Sequence, residues 1–236
     1  MRSTIAWAIG LGGLVATAVL SAQTKPASAT ATDIYHVHFT KAAPGQADAL
    51  GKTLVTPDKS SPMPEHFIVL RHQEGDDWDY AVIQHLGPKA EVSAATPAPP
   101  DAVRNLRAWH DDTFVSGPSW SEFTSQMAIG GSTPASGLIY IVGVHRTVPG
   151  HREQLEKSLN TLAPSSKIQT GNILLQHVEG GNWTFVTVTR YNSWQDLASD
   201  RSAAASAAAG PGGWAELREH SAFHRDTLAD RIYPAK

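Results

Sequence analysis

Apolar and polar positions follow the same order in two stretches of the chain, and this pattern predicts a duplicated fold. Residues 34–39 alternate strictly, as in a half-buried strand, whereas residues 139–144 are apolar on both faces, as in a more fully buried one. With a constant offset of 105, residues 34–83 and 139–188 are identical at 17 of 50 positions. Such internal similarity predicts two copies of one structural unit.

An apolar stripe at helical spacing follows a Pro-Gly pair in each copy and predicts a helix packed on a sheet. The stripes are Ala47, Leu50 and Leu54 in the first copy and Leu155, Leu159 and Leu162 in the second. A hairpin follows each helix, with Gly and Asp or Asn in its turn. Trp78 and Trp183 begin the return strands of the two hairpins.

Both copies finish on a related segment with the core aromatic-His-x-Asp-Thr, and we expect a helix over 104–114 and over 218–228. The predicted order of strand, helix, strand, strand and helix is a ferredoxin-like unit without a clear last strand. Residues 121–127 are the candidate for that strand in the first copy, and the second copy has little room for one. The sequence thus predicts repeat 1 over 33–129, a linker over 130–137 and repeat 2 over 138–236.

The first residues resemble an export signal, because Arg2 precedes an uncharged stretch from Ile5 to Leu20 and small residues follow it. We expect a signal peptide over 1–22, with cleavage possible as late as Ala29, and a flexible leader over 23–32. An uncleaved membrane anchor is the alternative. The expected location of the mature protein is periplasmic or extracellular, with no membrane contact after cleavage.

Composition narrows the chemistry that this protein can perform. The chain has no cysteine, which excludes disulfides and thiolate metal sites. The net charge is −3, and the sequence contains nothing that resembles the basic patch that nucleic-acid binding requires. The 11 histidines are the one compositional hint of a functional site, and they do not identify a cofactor.

The segment from His145 to Leu155, with its strand, Val-Pro-Gly and Leu-striped helix, resembles the dimeric α/β-barrel superfamily. Members similar to antibiotic-biosynthesis monooxygenases and to NIPSNAP proteins come closest. The resemblance implies an α+β fold in which tandem ferredoxin-like repeats form a pseudo-dimeric α/β barrel. It also implies that ligands bind inside the barrel or between sheet and helices, and it carries over no catalytic residue, because this fold hosts many activities.

His36 and His38 lie two residues apart on a predicted strand, so both imidazoles share one face and can reach one metal ion or ligand. If Tyr35, Val37 and Phe39 face the helices, these histidines face the barrel interior. Ligand contacts are then expected from His36, His38, Tyr35, Trp78 and Trp183. A metal at His36 and His38 is possible but not favoured, and two partly exposed histidines on an edge strand are the plain alternative.

The duplicated pairs His110 with Asp112 and His224 with Asp226 are the candidate catalytic groups, because a carboxylate orients a histidine and makes it more basic. A purely structural role fits the duplication equally well. His220 and His224 lie four residues apart on a predicted helix, where they either chelate a metal or belong to an ordinary polar surface.

Three function classes remain open at this point. The first is an exported protein that binds a small molecule of unknown identity. The second is an enzyme, either a cofactor-independent oxygenase or a histidine-metal enzyme. The third is a structural or interaction module.

Overall fold

A computed structural model describes residues 33–89, 101–131, 134–160 and 168–236. The predicted signal peptide and leader, and the proline-rich stretch over 94–100, lie outside the described residues. So do Leu162 of the second helix stripe and part of the linker over 130–137. No helix among the described segments is long and apolar enough to cross a membrane.

Each repeat contributes four strands, with one helix between the first and second strands, but the remaining helices differ: repeat 1 has one before and one after its last strand, and repeat 2 has two before it. Repeat 1 contains β1 (Asp33–Ala42), α1 (Ala47–Leu54), β2 (Phe67–Glu74), β3 (Tyr80–Pro88), α2 (Asp101–Arg104), β4 (Arg107–Gly117) and α3 (Trp120–Met127). Repeat 2 contains β5 (Ile139–Thr147), α4 (Arg152–Asn160), β6 (Gly171–Glu179), β7 (Phe185–Tyr191), α5 (Trp194–Ser206), α6 (Trp214–His220) and β8 (Ser221–Tyr233).

The eight strands close into one barrel in the order β1-β3-β2-β8-β5-β7-β6-β4, and all neighbouring strands are antiparallel. The repeats meet along two seams, β4 with β6 and β2 with β8. The prediction of an α+β fold with a pseudo-dimeric α/β barrel is therefore confirmed. Closure also removes the unpaired strand edges that an open sheet would expose.

The helices predicted over 104–114 and 218–228 are wrong, because these segments form the last strands of their repeats, β4 and β8. In β4, burial alternates residue by residue, with Thr113, Val115 and Gly117 buried and their neighbours more exposed. This period of two is the mark of a strand, and the charged cluster around Asp112 obscures it in the sequence. Residues 121–127 belong to helix α3, whose first turn is capped by the Ser119 hydroxyl accepting from the Glu122 backbone N–H at 3.3 Å.

Side chains from all eight strands fill the barrel interior with one apolar core. Tyr35, Val37 and Phe39 belong to this core, so they point inward and not toward the helices as expected. His36 and His38 consequently lie on the outer face of β1, which corrects their predicted position in the interior. Strand alternation defines two faces, and burial of the two aromatic rings decides which one turns inward.

Helices cover parts of the outer face of the sheet. Leu50 of α1 packs with Phe67, Val69 and Tyr80, as the apolar stripe predicts, although Ala47 of that stripe is exposed. In repeat 2, Leu197 of α5 packs in the same way with Ile139, Ile141 and Tyr191 of that repeat.

Helix α3 closes one end of the barrel. Phe123 and Met127 are fully buried in the interior core. The hydroxyl of Tyr35 donates to the backbone oxygen of Pro118 at 2.7 Å, and that of Tyr140 donates to the backbone oxygen of Met127 at 3.0 Å. The two tyrosines therefore anchor the segment that carries α3.

Each hairpin packs closely on the last strand of the other repeat. Gly75, at φ +130°, lies against Asp226 and Thr227, and Gly180, at φ +119°, lies against Asp112 and Thr113. A Cβ at Gly180 would lie 2.3 Å from the backbone oxygen of Asp112. Glycine is needed at these two turns for both its backbone conformation and its lack of a side chain.

Candidate functional site

Four polar side chains of repeat 1 meet on the outer face of the barrel, where β1 runs beside β4. The strand register places His38 opposite Asp112 and Thr40 opposite His110. His36 lies two residues before His38 on the same face. The segments are about 70 residues apart in sequence, so only the pairing of the strands unites these residues. We call His36, His38, His110 and Asp112 the repeat 1 cluster.

Asp112 is the centre of the repeat 1 cluster. Its Oδ1 lies 2.9 Å from His36 Nε2 and 2.6 Å from His38 Nδ1, and its Oδ2 lies 2.7 Å from His110 Nδ1. A carboxylate only accepts, so each imidazole donates the N–H that faces it. When such a ring is neutral, its second nitrogen can accept a proton. In His38 this atom is Nε2, which is buried and has no hydrogen-bond partner within the described part of the chain.

Burial and charge set the protonation states of the cluster. Burial lowers the pKa of His38, and the hydrogen bond and charge of Asp112 oppose this effect without overcoming it. Burial acts to raise the pKa of Asp112, but hydrogen bonds from His36 and His38 outweigh it and hold that pKa well below its usual range. At neutral pH the cluster therefore pairs an ionised carboxylate with a neutral His38 imidazole.

The cluster is open to solvent on one side. The side chain of His38 is 7% exposed, whereas those of His110 and Asp112 are 44% and 41% exposed. A small molecule that arrives from solvent thus meets His110 and Asp112 first.

The structure joins two predictions that the sequence kept apart. The candidate ligand pair, His36 and His38, and the candidate catalytic pair, His110 and Asp112, form one site. The expected aromatic ligand contacts are not part of it. Tyr35 supports α3, while Trp78 and Trp183 lie in the barrel core, each edge-on to a histidine, His72 or His177, at ring distances of 5.6 and 5.7 Å.

Repeat 2 carries a modified copy of the cluster between β5 and β8. His224 Nε2 lies 2.9 Å from Asp226 Oδ1, and Arg201 of α5 donates to Asp226 Oδ2 at 3.0 Å. Gly143 pairs with Asp226 where His38 pairs with Asp112. The buried His145, two residues further along β5, stacks on His224 at 4.9 Å between ring centroids.

His145 was not predicted as a site residue, because it aligns with Thr40 and so falls outside the duplicated pattern. Burial, followed by the nearby His224, lowers its pKa to about 4. Its Nε2 lies 3.3 Å from the hydroxyl of Thr187. The only sequence signal for it is a histidine at the end of an otherwise apolar strand.

The single helix on which His220 and His224 would share a face is wrong, because α6 ends at His220 and His224 lies in β8, so the structure does not support chelation by this pair. His220 ends α6, and its Nδ1 lies 3.0 Å from Nδ1 of His151. His224 lies in β8 and contacts Asp226 and His145 instead.

One group of residues in the described segments has the composition and spacing of a metal site. Ligand atoms of His38, His110 and Asp112 all lie within 4.8 Å of one another. This set shares only His38 with the predicted metal pair of His36 and His38.

No protein-family description and no curated protein matches this sequence. Similar solved structures include a proposed monooxygenase from Lactobacillus acidophilus NCFM (10% identity, TM-score 0.50, covering 85% of this chain and 94% of that one). An anthrone oxidase-like protein is similar at 11% identity and TM-score 0.51, covering 88% and 94%. A proposed monooxygenase from Fusobacterium nucleatum is similar at 7% identity and TM-score 0.51, covering 86% and 94%. At these identities the comparisons show the fold, which is the dimeric α/β barrel.

Proposed function

We propose that the repeat 1 cluster binds a small molecule with an acidic proton and that His38 removes this proton as a general base. The observation that carries the proposal is the state of His38: its Nδ1 is held by Asp112, and its buried Nε2 has no partner in the described residues. A neutral imidazole that is oriented through one nitrogen and carries no hydrogen bond on the other has the protonation state that a general base requires.

The proton transfer can be followed atom by atom. The Nε2 lone pair of His38 takes the proton, and the ring becomes an imidazolium. Its Nδ1–H remains on Asp112 Oδ1 at 2.6 Å, so the ionised carboxylate stabilises the new positive charge. His36 and His110 also bond Asp112, and these bonds keep the carboxylate ionised and in place.

Removal of a proton from an acidic CH2 group leaves an electron-rich anion that can give an electron to dioxygen without a cofactor. The carbon then bonds one oxygen atom as a hydroperoxide, and cleavage of the O–O bond with loss of water leaves a C=O group, so that CH2 and O2 become C=O and H2O. A cofactor-independent oxygenase is therefore the enzyme class that we propose, with dioxygen as oxidant. The fold likeness to proteins described as monooxygenases and as anthrone oxidase-like is compatible with this choice. The proposal needs no residue from the barrel interior.

The test uses dithranol, a hydroxyanthrone with an acidic C–H, and measures oxygen consumption above the uncatalysed rate. We expect His38→Gln, which cannot accept a proton, to lower the rate by about 10²–10⁴-fold. His151→Gln is the control, because His151 is half-buried and contacts His220 away from the cluster. Equal rates for wild type and His38→Gln would refute the role of His38.

A metal-dependent function is the second candidate, and the group of His38, His110 and Asp112 favours it. Both Asp112 oxygens already accept from imidazoles, so a cation bound to Asp112 would have to replace these hydrogen bonds. Elemental analysis of protein purified without chelators separates the candidates. A stoichiometric metal that is lost in His38→Gln would favour the metal, and metal-free protein that still consumes oxygen would favour the base.

We also propose that the protein is exported and acts in the periplasm or outside the cell. The support is the charged and then apolar pattern of the first 22 residues. Fractionation of expressing cells, followed by N-terminal sequencing, tests it. A mature N-terminus after Ala22 or Ala29 is expected, and an intact Met1 in the cytoplasmic fraction would contradict it.

A further inference from the structure

We infer that the repeat 1 cluster takes a ligand with an anionic oxygen and that Arg107 binds this oxygen beside His38. The inference rests on the proposed function for the location of the ligand. It adds the chemical class of the ligand and a residue that determines specificity.

A β-bulge places Arg107 on the face of the sheet that carries the repeat 1 cluster. In the β1–β4 register, His110 pairs with Thr40 and Trp109 with Lys41, but Arg107 pairs with Ala42, so Ala108 is an extra residue. Arg107 lies three positions before His110, so in a regular strand, without a bulge, the two side chains would face opposite sides of the sheet. The bulge places it on the outer face with His110, and bulges commonly redirect side chains next to functional sites.

The guanidinium of Arg107 is partly desolvated. The residue is half-buried, and its Nε atom is buried without a hydrogen-bond partner among residues that the structure describes. Its charge acts on both His38 and Asp112, which places it in the same electrostatic environment as the cluster. A guanidinium with an available N–H forms strong, often bidentate hydrogen bonds to anionic oxygens.

Repeat 2 offers a comparison within the same molecule. The same bulge occurs between β5 and β8, where Arg146 pairs with Phe223 and Thr147 with Ser221. Ser221 thus takes the position of Arg107, and its hydroxyl donates to the backbone oxygen of Phe223 at 2.8 Å. The bulge is therefore common to both repeats, whereas the arginine at this position occurs in repeat 1 and not in repeat 2. We expect one anion site in each chain.

Arg107 and His38 have complementary roles in this arrangement. Removal of a proton from an enol or phenol leaves an oxyanion, and a nearby guanidinium stabilises that negative charge. The same guanidinium binds a ligand that arrives already ionised, such as a carboxylate. The shared chemistry is an oxygen that is negatively charged when it is bound next to Arg107.

Calorimetric titration with two probes of the same shape tests the inference. 2-Naphthoate carries a carboxylate, and 2-naphthamide carries the neutral amide in its place. We expect wild type to bind 2-naphthoate at least tenfold more tightly, and Arg107→Gln to remove this difference. Arg107→Lys keeps the positive charge but lacks the paired N–H donors of the guanidinium, so it should retain part of this difference in affinity. Arg104→Gln is the matched control, since Arg104 is exposed and pairs with Asp101 in α2.

Three results would overturn the inference: equal affinity of wild type for both probes, no binding of 2-naphthoate at millimolar concentration, or unchanged discrimination in Arg107→Gln. Thermal unfolding of Arg107→Gln confirms that the variant is folded before it is titrated. The two proposals can fail separately. If His38→Gln consumes oxygen at the wild-type rate while the preference for 2-naphthoate over 2-naphthamide still depends on Arg107, only the role of His38 as a base is refuted.

Discussion

The close packing of Gly180 on β4 gives a prediction that connects stability with the candidate site. The substitution Gly180→Ala puts a Cβ 2.3 Å from the backbone oxygen of Asp112 and 2.8 Å from Cα of Thr113. Both distances are shorter than van der Waals contact, and both neighbours are backbone atoms of a strand in the barrel. The hairpin, the strand or both must therefore move.

The size of the effect follows from two costs. A non-glycine residue at φ +119° costs about 1–3 kcal/mol of backbone strain. Forcing one extra carbon into a packed contact costs about 1–3 kcal/mol more. The two costs sum to about 2–6 kcal/mol, and a loss of about 4 kcal/mol lowers the melting temperature of a protein of this size by about 8–16 °C.

Gly75→Ala is a matched variant from the other repeat. Its Cβ would lie 2.6 Å from the backbone oxygen of Asp226, at φ +130°, so its unfolding free energy should fall by a similar amount. Only Gly180→Ala displaces the strand segment that carries Asp112. We therefore expect both variants to melt earlier, but only Gly180→Ala to shift the imidazole NMR signals of His38.

Gly45→Ala serves as a control for backbone strain alone, because its φ is +77° and no atom lies within 4 Å of the added Cβ. We expect a loss of about 1 kcal/mol there. A melting temperature of Gly180→Ala within 1 °C of wild type would refute the reasoning about hairpin packing. Equal shifts of the His38 signals in Gly75→Ala would refute the connection to the site.

Three further predictions concern proton binding and the core. Burial lowers the pKa of His38 and Asp112 opposes it, so Asp112→Asn should lower that pKa further in an NMR titration, and a rise would contradict the assigned contacts. Burial lowers the pKa of His145 from 6.5 to about 4, so the unfolded chain takes up this proton first as the pH falls. The free energy of unfolding should then fall between about pH 6.5 and 4, by at most about 3 kcal/mol, and His145→Gln should flatten this fall in denaturant titrations. Phe123→Ala should cost about 3–5 kcal/mol because the ring is fully buried, whereas Trp214→Ala, at a 62% exposed position, should cost less than about 0.5 kcal/mol.

Much of the fold is predictable from local patterns. The helix stripe around Leu50 and the two hairpins depend on neighbouring residues, and the structure confirms them. The last strands were missed because His110, Asp111 and Asp112 place three polar residues in a row. A strand with consecutive polar residues loses the visible alternation on which its recognition depends.

The components of the site were predictable, but their union was not. His36 and His38 were candidates as ligand or metal contacts because they share one face of a strand, and His110 and Asp112 were candidates as an acid–base pair. Their assembly depends on the pairing of β1 with β4, a long-range contact that a wrong helix assignment conceals. Arg107 could not be found at all, because a β-bulge of one residue decides which face it occupies.

The two seams join two halves of one barrel that belong to a single chain, so these halves cannot dissociate from each other. In a protein built from two separate copies, barrel closure would depend on protein concentration. Here the second half is always present, so closure of the barrel should not depend on dilution. Covalent linkage also frees the halves from symmetry, because a substitution no longer appears twice in one barrel. A duplicated chain can thus keep His38 and Arg107 in one half while Gly143 and Ser221 occupy the same positions in the other.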